Sequence, residues 1–381
     1  MSKLTNPNRR RAFGAGAAVL ASAATLAPQV HAQQVTRLKI QTAVPSSSIY
    51  FDLLKRMGDR VDRMSSGRLK LEMLPDGAVV PAFEIFDAVD KGVVDGGYAW
   101  THYWSGKNTA AGLFSNPAAG GGTGMDQLSH VAWLFQGDGN ALYKKFFSEV
   151  LKVNIEPFMV QPMGPDPLGW FKNPIASLDD FRKVKYRSPP GLVGEIFKEM
   201  GVSAVAMPGG EIVPAAQRGV IDAAEWIGPA DDAALGLNTV WKNYYLQGLH
   251  QAIDIGDIYV NLDWWNKLPK DLQAMFQAGI MALITDTYNW NVSQNSKALK
   301  KFVVDDKVQV RDTPPDVFPA YMAASKEVLE KYAKQDPFFA KVYKSMIDWA
   351  NLTVPYTSQT NGLFYNMGKS AMDKKLVGYD K

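Results

Sequence analysis

Cysteine is absent from all 381 residues. This excludes a disulfide framework, an iron–sulfur cluster, a thiolate zinc site, a cysteine nucleophile and a lipid-bearing thiol. Histidine is scarce: His31, His102, His130 and His250 are the whole supply, and none stands at H-E-x-x-H spacing. No G-x-S-x-G, phosphate-loop or dinucleotide fingerprint occurs. Charge of one sign is not in excess either, with 41 Lys and Arg against 38 Asp and Glu, so a basic nucleic-acid footprint is missing. What the chain does have is length for roughly two or three domains of ~100–200 residues, with ten tryptophans and fifteen tyrosines.

Residues 1–32 carry Lys3, Arg9, Arg10 and Arg11 and no acid. Arg10-Arg11-Ala12-Phe13 leads into a weakly apolar Gly/Ala-rich run to Pro28, and Val30-His31-Ala32 is a small-x-small cleavage site. This is the layout of a secretory signal, and the paired arginines favour the twin-arginine route. The apolar run is shorter than the ~20 residues a membrane span needs, and no later run approaches 18. Without the four signal cations the chain holds 37 cations against 38 acids, a net charge of −1. The expectation is an exported, electrostatically neutral protein of the bacterial periplasm.

The segment after the signal alternates strand and helix patterns. Thr36–Gln41 alternates as a strand; Tyr50, Leu53, Leu54, Met57 and Val61 recur at helical spacing over Ile49–Met64; Arg68–Leu74 alternates again. This β-α-β order points to an α/β sheet. An internal repeat strengthens the reading. Val80-Pro81-Ala82 opens a helix ending at Lys91-Gly92, followed by Val93–Tyr98; Val213-Pro214-Ala215 opens a helix ending at Arg218-Gly219, followed by Val220–Glu225. Proline near a helix start, a cation in the last turn and a glycine cap each suit their positions. Two copies predict two similarly built α/β lobes. Ligand sites in such sheets lie beyond the strands' carboxyl ends, so Tyr98–Trp104 and Glu225–Gly228 are expected to face one cleft.

Further strands are expected at Gly169–Phe171, Lys185–Arg187, Val202–Ala206 and Ile258–Asn261, with helices over Leu192–Met200, Leu272–Phe302, Phe318–Tyr332 and Phe338–Asn351. Residues 33–160 with 252–300 are read as lobe I and 161–251 as lobe II. Residues 301–381 are read as a C-terminal helical region. The segment from Trp349 to Gly368 is more apolar than a tail needs.

Together Gly169-Trp-Phe, Tyr186-Arg187, Tyr103-Trp104, the Met207–Pro229 stretch and Asp231-Asp232 resemble the extracytoplasmic, DctP-like solute receptors of tripartite ATP-independent periplasmic (TRAP) transporters. The likeness is greatest to the branch that binds 2-oxo and other monocarboxylic acids. It covers nearly the whole chain after the signal. The resemblance implies a two-lobed, type II-like periplasmic binding protein, a small organic acid as ligand and TRAP membrane permease subunits as partners.

The resemblance also implies roles for single residues. Arg187 matches the arginine that holds the substrate carboxylate, and a planar guanidinium clamps a carboxylate through two parallel bonds. Glu225, the Trp226 carbonyl and Gln161 match the ligands of a substrate-bridging cation; oxygen ligands suit Na⁺ or Ca²⁺. No organic cofactor is implied. Tyr98, Trp100, Tyr103 and Trp104 are expected to wall the cleft, two of the four touching ligand, and Trp226 is expected to contact it as well. The crossover Gln161–Asp166 departs from relatives richer in Gly and Asn, which leaves Asp166 as a rival to Gln161. A second acid of the keto-acid receptors falls at Gln251, with Asp254 and Asp257 close by. In that branch a C-terminal helix is exchanged between subunits, which implies a homodimer. The competing reading is a periplasmic cofactor-containing enzyme exported already folded.

Overall fold

A computed structural model describes residues 35–118 and 120–379; the export-signal reading of residues 1–32 falls outside them. Two sheets organise the chain. The first contains β1 (Thr36–Thr42), β2 (Leu69–Leu74), β3 (Gly96–Ala99), β4 (Ile155–Pro162) and β10 (Ile255–Asn261), in the order β2-β1-β3-β10-β4. The second contains β5 (Gly169–Phe171), β6 (Lys185–Arg187), β7 (Ser203–Val205), β8 (Ala223–Ala224), β9 (Asn243–Tyr245) and β11 (Gln309–Arg311), in the order β11-β9-β5-β8-β6-β7. Helices flank both sheets, and the result is the expected two-lobed α/β architecture.

Helix α1 (Ile49–Met64) shows why the sequence pattern was sufficient locally. The Ser48 hydroxyl caps it by accepting from the Tyr50 amide at 3.1 Å, and Tyr50, Leu53, Leu54, Met57 and Val61 are all buried on one face. The repeat is real at its caps. Helix α2 (Ile85–Asp90) ends with Val93 N–H donating to Ala88 O, and helix α3 (Gly209–Gln217) ends with Val220 N–H donating to Ala215 O. Gly92 and Gly219 take φ of 70° and 71° at these ends, the left-handed cap that glycine adopts without strain.

The two copies differ at their starts. Pro81 precedes a 3-10 turn, Ala82–Glu84, before α2, as the sequence suggests. Pro214, expected at the opening of its helix, lies inside α3; the helix begins at Gly209, with Pro208 at the cap position. The following strand is only two residues long, because residues 220–222 turn before β8 joins its neighbours.

Two adjacent connections join the sheets: residues 163–168 after β4 and 246–254 before β10. They bind each other, Met163 N–H to Asp254 O at 2.7 Å and Asp166 N–H to Gln251 O at 3.0 Å. Their crossing is close: a Cβ on Gly248 would sit 1.4 Å from the Asp166 carbonyl oxygen, so only glycine fits. Helix α4 (Pro229–Leu235) follows the second copy of the repeat. The long helix α5 (Lys270–Val304) runs past the connections, where Asn291 donates to Met163 O and accepts from the Tyr50 hydroxyl.

The C-terminal region departs from the all-helical expectation for residues 301–381. Residues 309–311 form β11, paired parallel to β9 in the second sheet. Tyr244 and Tyr245 belong to β9. Helices α6 (Val317–Gln335) and α7 (Pro337–Asp373) complete the chain, and α7 continues through Pro355 well beyond the expected end at Asn351. Among the described residues no helix is long and apolar enough to cross a membrane.

Candidate functional site

Strands β6 and β8 lie side by side and parallel, with Arg187 opposite Ala224 in register. Their carboxyl ends therefore deliver the Arg187 side chain and Glu225 to one place. Arg187 donates through Nη1 to the Glu225 carboxylate and, at 3.1 Å, to the Glu225 carbonyl. Its Nε and Nη2 donate to the Met207 carbonyl at 3.1 and 2.9 Å. Both side chains are 98% or more removed from solvent. Burial pushes the Glu225 carboxyl up to about 7 against the opposing pull of the Arg187 cation.

The first lobe supplies the facing wall. After β3 the chain forms a 3-10 turn over Thr101–Trp104, which turns Trp100, His102 and Tyr103 toward Arg187. With Asp166, Pro189, Glu225, Trp226, Ile227, Gln251 and Asp254 they enclose a cavity of about 10 Å³, near the lower limit for one water molecule. The lobes meet here through aromatic edges: the Trp100 and Trp226 rings are 6.1 Å apart and nearly perpendicular. Asp231 fixes Trp226 by accepting from its indole N–H at 2.6 Å. The other Asp231 oxygen accepts from Ile49 N–H of the first lobe at 2.9 Å.

Of the residues expected at the site, Arg187, Glu225, Trp226, Trp100, Tyr103 and Gln251 line this cavity. Tyr98 and Gln161 do not. Tyr98 lies on β3 a layer behind Trp100, with ring centroids 5.8 Å apart and its hydroxyl packed against Gly256. Gln161 lies on β4, its amide nitrogen directed at Tyr50 O at 3.4 Å and its Oε1 buried without a donor. Trp104 faces the core against Phe86 and Tyr259. Residues absent from the sequence reading of the site are His102, Pro189 and Ile227. His102 sits in the segment already singled out between Tyr98 and Trp104. Burial, with Arg187 nearby, lowers its imidazole to about 3, so the ring is neutral.

Among the described residues no three His, Asp or Glu side chains converge as a metal-ligand cluster. A cation at Glu225 would draw on carbonyl and amide oxygens instead.

Two α/β lobes joined by paired connections, closing on a buried arginine among aromatic walls, define a two-lobed solute receptor. The description "Bacterial extracellular solute-binding protein, family 7" matches residues 40–336, and the chain belongs to that family. A monocarboxylate 2-oxoacid-binding periplasmic protein of Nostoc sp. is 32% identical over 308 residues, 81% of this chain and 82% of the relative. A TRAP transporter solute-binding protein of Bordetella bronchiseptica, solved as a mixed-occupancy dimer with copurified calcium and picolinate, is 26% identical. It covers 90% of this chain and 99% of its own, with a TM-score of 0.84. A TRAP receptor of Colwellia psychrerythraea with bound calcium and pyruvate is 29% identical and covers 87% and 99%, with a TM-score of 0.80. Members of this family bind and deliver solutes; this chain is a TRAP solute receptor and not an enzyme.

Proposed function

We propose that the chain is the periplasmic receptor of a TRAP transporter that captures an organic monocarboxylate, a 2-oxo, 2-hydroxy or aromatic acid, and hands it to membrane permease subunits. The observation that carries this reading is the buried Arg187 guanidinium at a strand end, facing an aromatic-walled cavity between two lobes. The names of the Nostoc, Bordetella and Colwellia proteins supply the ligand class.

Binding is an exchange of partners. The ligand carboxylate takes the place of the Glu225 carboxylate, which accepts from Nη1 alone, and gains charge-assisted bonds to the planar guanidinium. Glu225 and the Trp226 carbonyl would hold a Na⁺ or Ca²⁺ ion, and Gln161, whose unpartnered Oε1 lies outside the cavity, would join them only if brought into it. An all-oxygen donor set fits a hard cation. Bound there, the ion would supply positive charge beside Glu225. Trp100, Tyr103 and Trp226 exclude water and orient the ligand. In this reading residues 33–160 and 252–300 form one lobe, 161–251 the other, and residues 1–32 direct export by the twin-arginine route. Residues 301–381 form a C-terminal region that lends one strand to the second sheet and, through its last helix, assembles a homodimer.

Titration calorimetry on protein freed of copurified ligand and metal tests this. Pyruvate, lactate, picolinate and benzoate are titrated with and without Ca²⁺ or Na⁺. At least one acid binds, more tightly with the cation, and Arg187→Ala weakens it at least 30-fold, as expected for ~2 kcal/mol or more lost with one partner of a buried charge pair. Undiminished binding by Arg187→Ala sinks the arginine's role.

A further inference from the structure

The cavity holds more carboxyl groups than the arginine pairs with. Arg187 and Glu225 neutralise each other, yet Asp166 and Asp254 line the same cavity and are 1% and 2% exposed. Asp254 is positioned by its neighbours. Its Oδ2 accepts from Trp100 Nε1–H at 2.9 Å, its amide donates to Gln127 Oε1, and its carbonyl accepts from Met163. Its Oδ1 has no donor, since His102 Nδ1 is 4.0 Å away, beyond hydrogen-bond reach. Asp166 is held by its backbone against Gln251 and Gly248, and its Oδ1 also has no donor.

Two buried carboxylate oxygens without donors are costly to leave unmet. Burial, and the negative charge of Asp254 and Glu225 around Asp166 and of Glu225 around Asp254, raise both carboxyls well above the usual range. The walls include Trp100, Tyr103 and Trp226, whose ring faces attract cations, the Trp226 ring already facing Arg187 at 5.4 Å. The cavity thus presents one cation together with unmet acceptors and aromatic faces.

We propose that the receptor selects zwitterionic acids, binding the carboxylate at Arg187 and a cationic N–H group at Asp166 and Asp254. This rests on the organic-acid reading above and narrows its substrate class. An acid without the nitrogen leaves both oxygens unmet.

The test compares straight-chain acids from propanoate to hexanoate with the ω-amino acids of the same lengths, by calorimetry on the full chain with Ca²⁺ present, with pyruvate as reference. For at least one length the amino acid binds at least tenfold tighter than its plain counterpart. Asp254→Asn and Asp166→Asn, checked for folding by circular dichroism, remove that preference. If either variant does not fold, the ligand series on the unaltered chain decides. Equal or tighter binding of the plain acids throughout overturns the proposal while leaving the organic-acid reading intact. Failure of every acid, pyruvate included, overturns both. A loss of Ca²⁺ affinity in Asp254→Asn or Asp166→Asn without any acid assigns these oxygens to the cation instead and also overturns it.

Discussion

Arg187 and Glu225 stand at the carboxyl ends of adjacent parallel strands and form a buried ion pair that also engages the Glu225 and Met207 carbonyls. The pair is a structural clamp and, in the proposed function, the point at which the receptor takes up an anion and a cation. Its members have few other partners, so their fates are coupled.

Removing either member leaves the other buried and unpaired, which costs about 3–5 kcal/mol, whereas replacing both by apolar groups of similar volume costs far less. Urea unfolding of Glu225→Leu and Arg187→Met is expected to show losses of that order. The double variant is expected to be well short of their sum. Additive losses would show that the pairing carries no energy.

Gly209 gives the Trp226 ring its seat. A Cβ at this position would lie 2.2 Å from the ring, while one on Gly210 meets only the end of the Asp76 side chain at 3.2 Å. Gly209→Ala is expected to destabilise the chain by about 1–3 kcal/mol and to weaken ligand binding by displacing Trp226 from Asp231. Gly210→Ala changes neither beyond a few tenths of a kcal/mol. Thermal melts and calorimetry on the two variants settle it; equal effects would show that ring placement is not what Gly209 protects.

Burial raises Asp257 to about 7 and Asp232 to about 8, despite the Thr101 donors on the first and Trp170 on the second. In the unfolded chain both protons leave near pH 4. Between these values the folded chain holds more protons, so stability from these groups is full below about pH 4 and falls as pH rises, levelling off above 8. Tm is expected to be higher at pH 5.5 than at 8.5, and Asp257→Asn to shrink that difference. An unchanged difference in the variant would contradict the assignment.

The last buried residue of α7 is Ala350. Beyond it Leu352, Tyr356, Phe364, Tyr365 and Met367 are each more than half exposed, an apolar stripe that suits a partner more than water. Light scattering is expected to find the full chain dimeric at micromolar concentration. A chain ending at Pro355 is expected to be monomeric with nearly the same Tm. A monomeric full chain refutes the dimer.

Local features were legible wherever neighbouring residues decide the outcome. The Ser48 cap and the 3.6-residue apolar spacing set α1 from Ile49 to Met64, and glycine's left-handed conformation ended both helices of the repeat. Length alone did not decide which short strands were legible. β5 and β6, three residues each, were read from the sequence, whereas β9 and β11, equally short, were not; those two exist because a neighbouring strand offers hydrogen bonds. Pro214 was misread because a proline inside a helix loses one backbone bond that nearby packing can tolerate.

The site divides in the same way. The chemistry of Arg187, of Glu225 beside Trp226, and of the aromatic run from Trp100 to Tyr103 could be read from residue type, order and family likeness. Which of them share a cavity could not, because strand registry brings Arg187 against Glu225 and the chain leaves β3 after Ala99, so that Trp100 enters the following turn while Tyr98 stays in the sheet. Asp166 and Asp254 are 88 residues apart in the sequence, and only the crossing of two connections, allowed by Gly248, sets both on one cavity. Residue type and local spacing therefore determined two α/β lobes and an arginine at a strand's carboxyl end; the tertiary structure decided what faces that arginine, since facing residues arrive from distant segments whose approach no local pattern encodes.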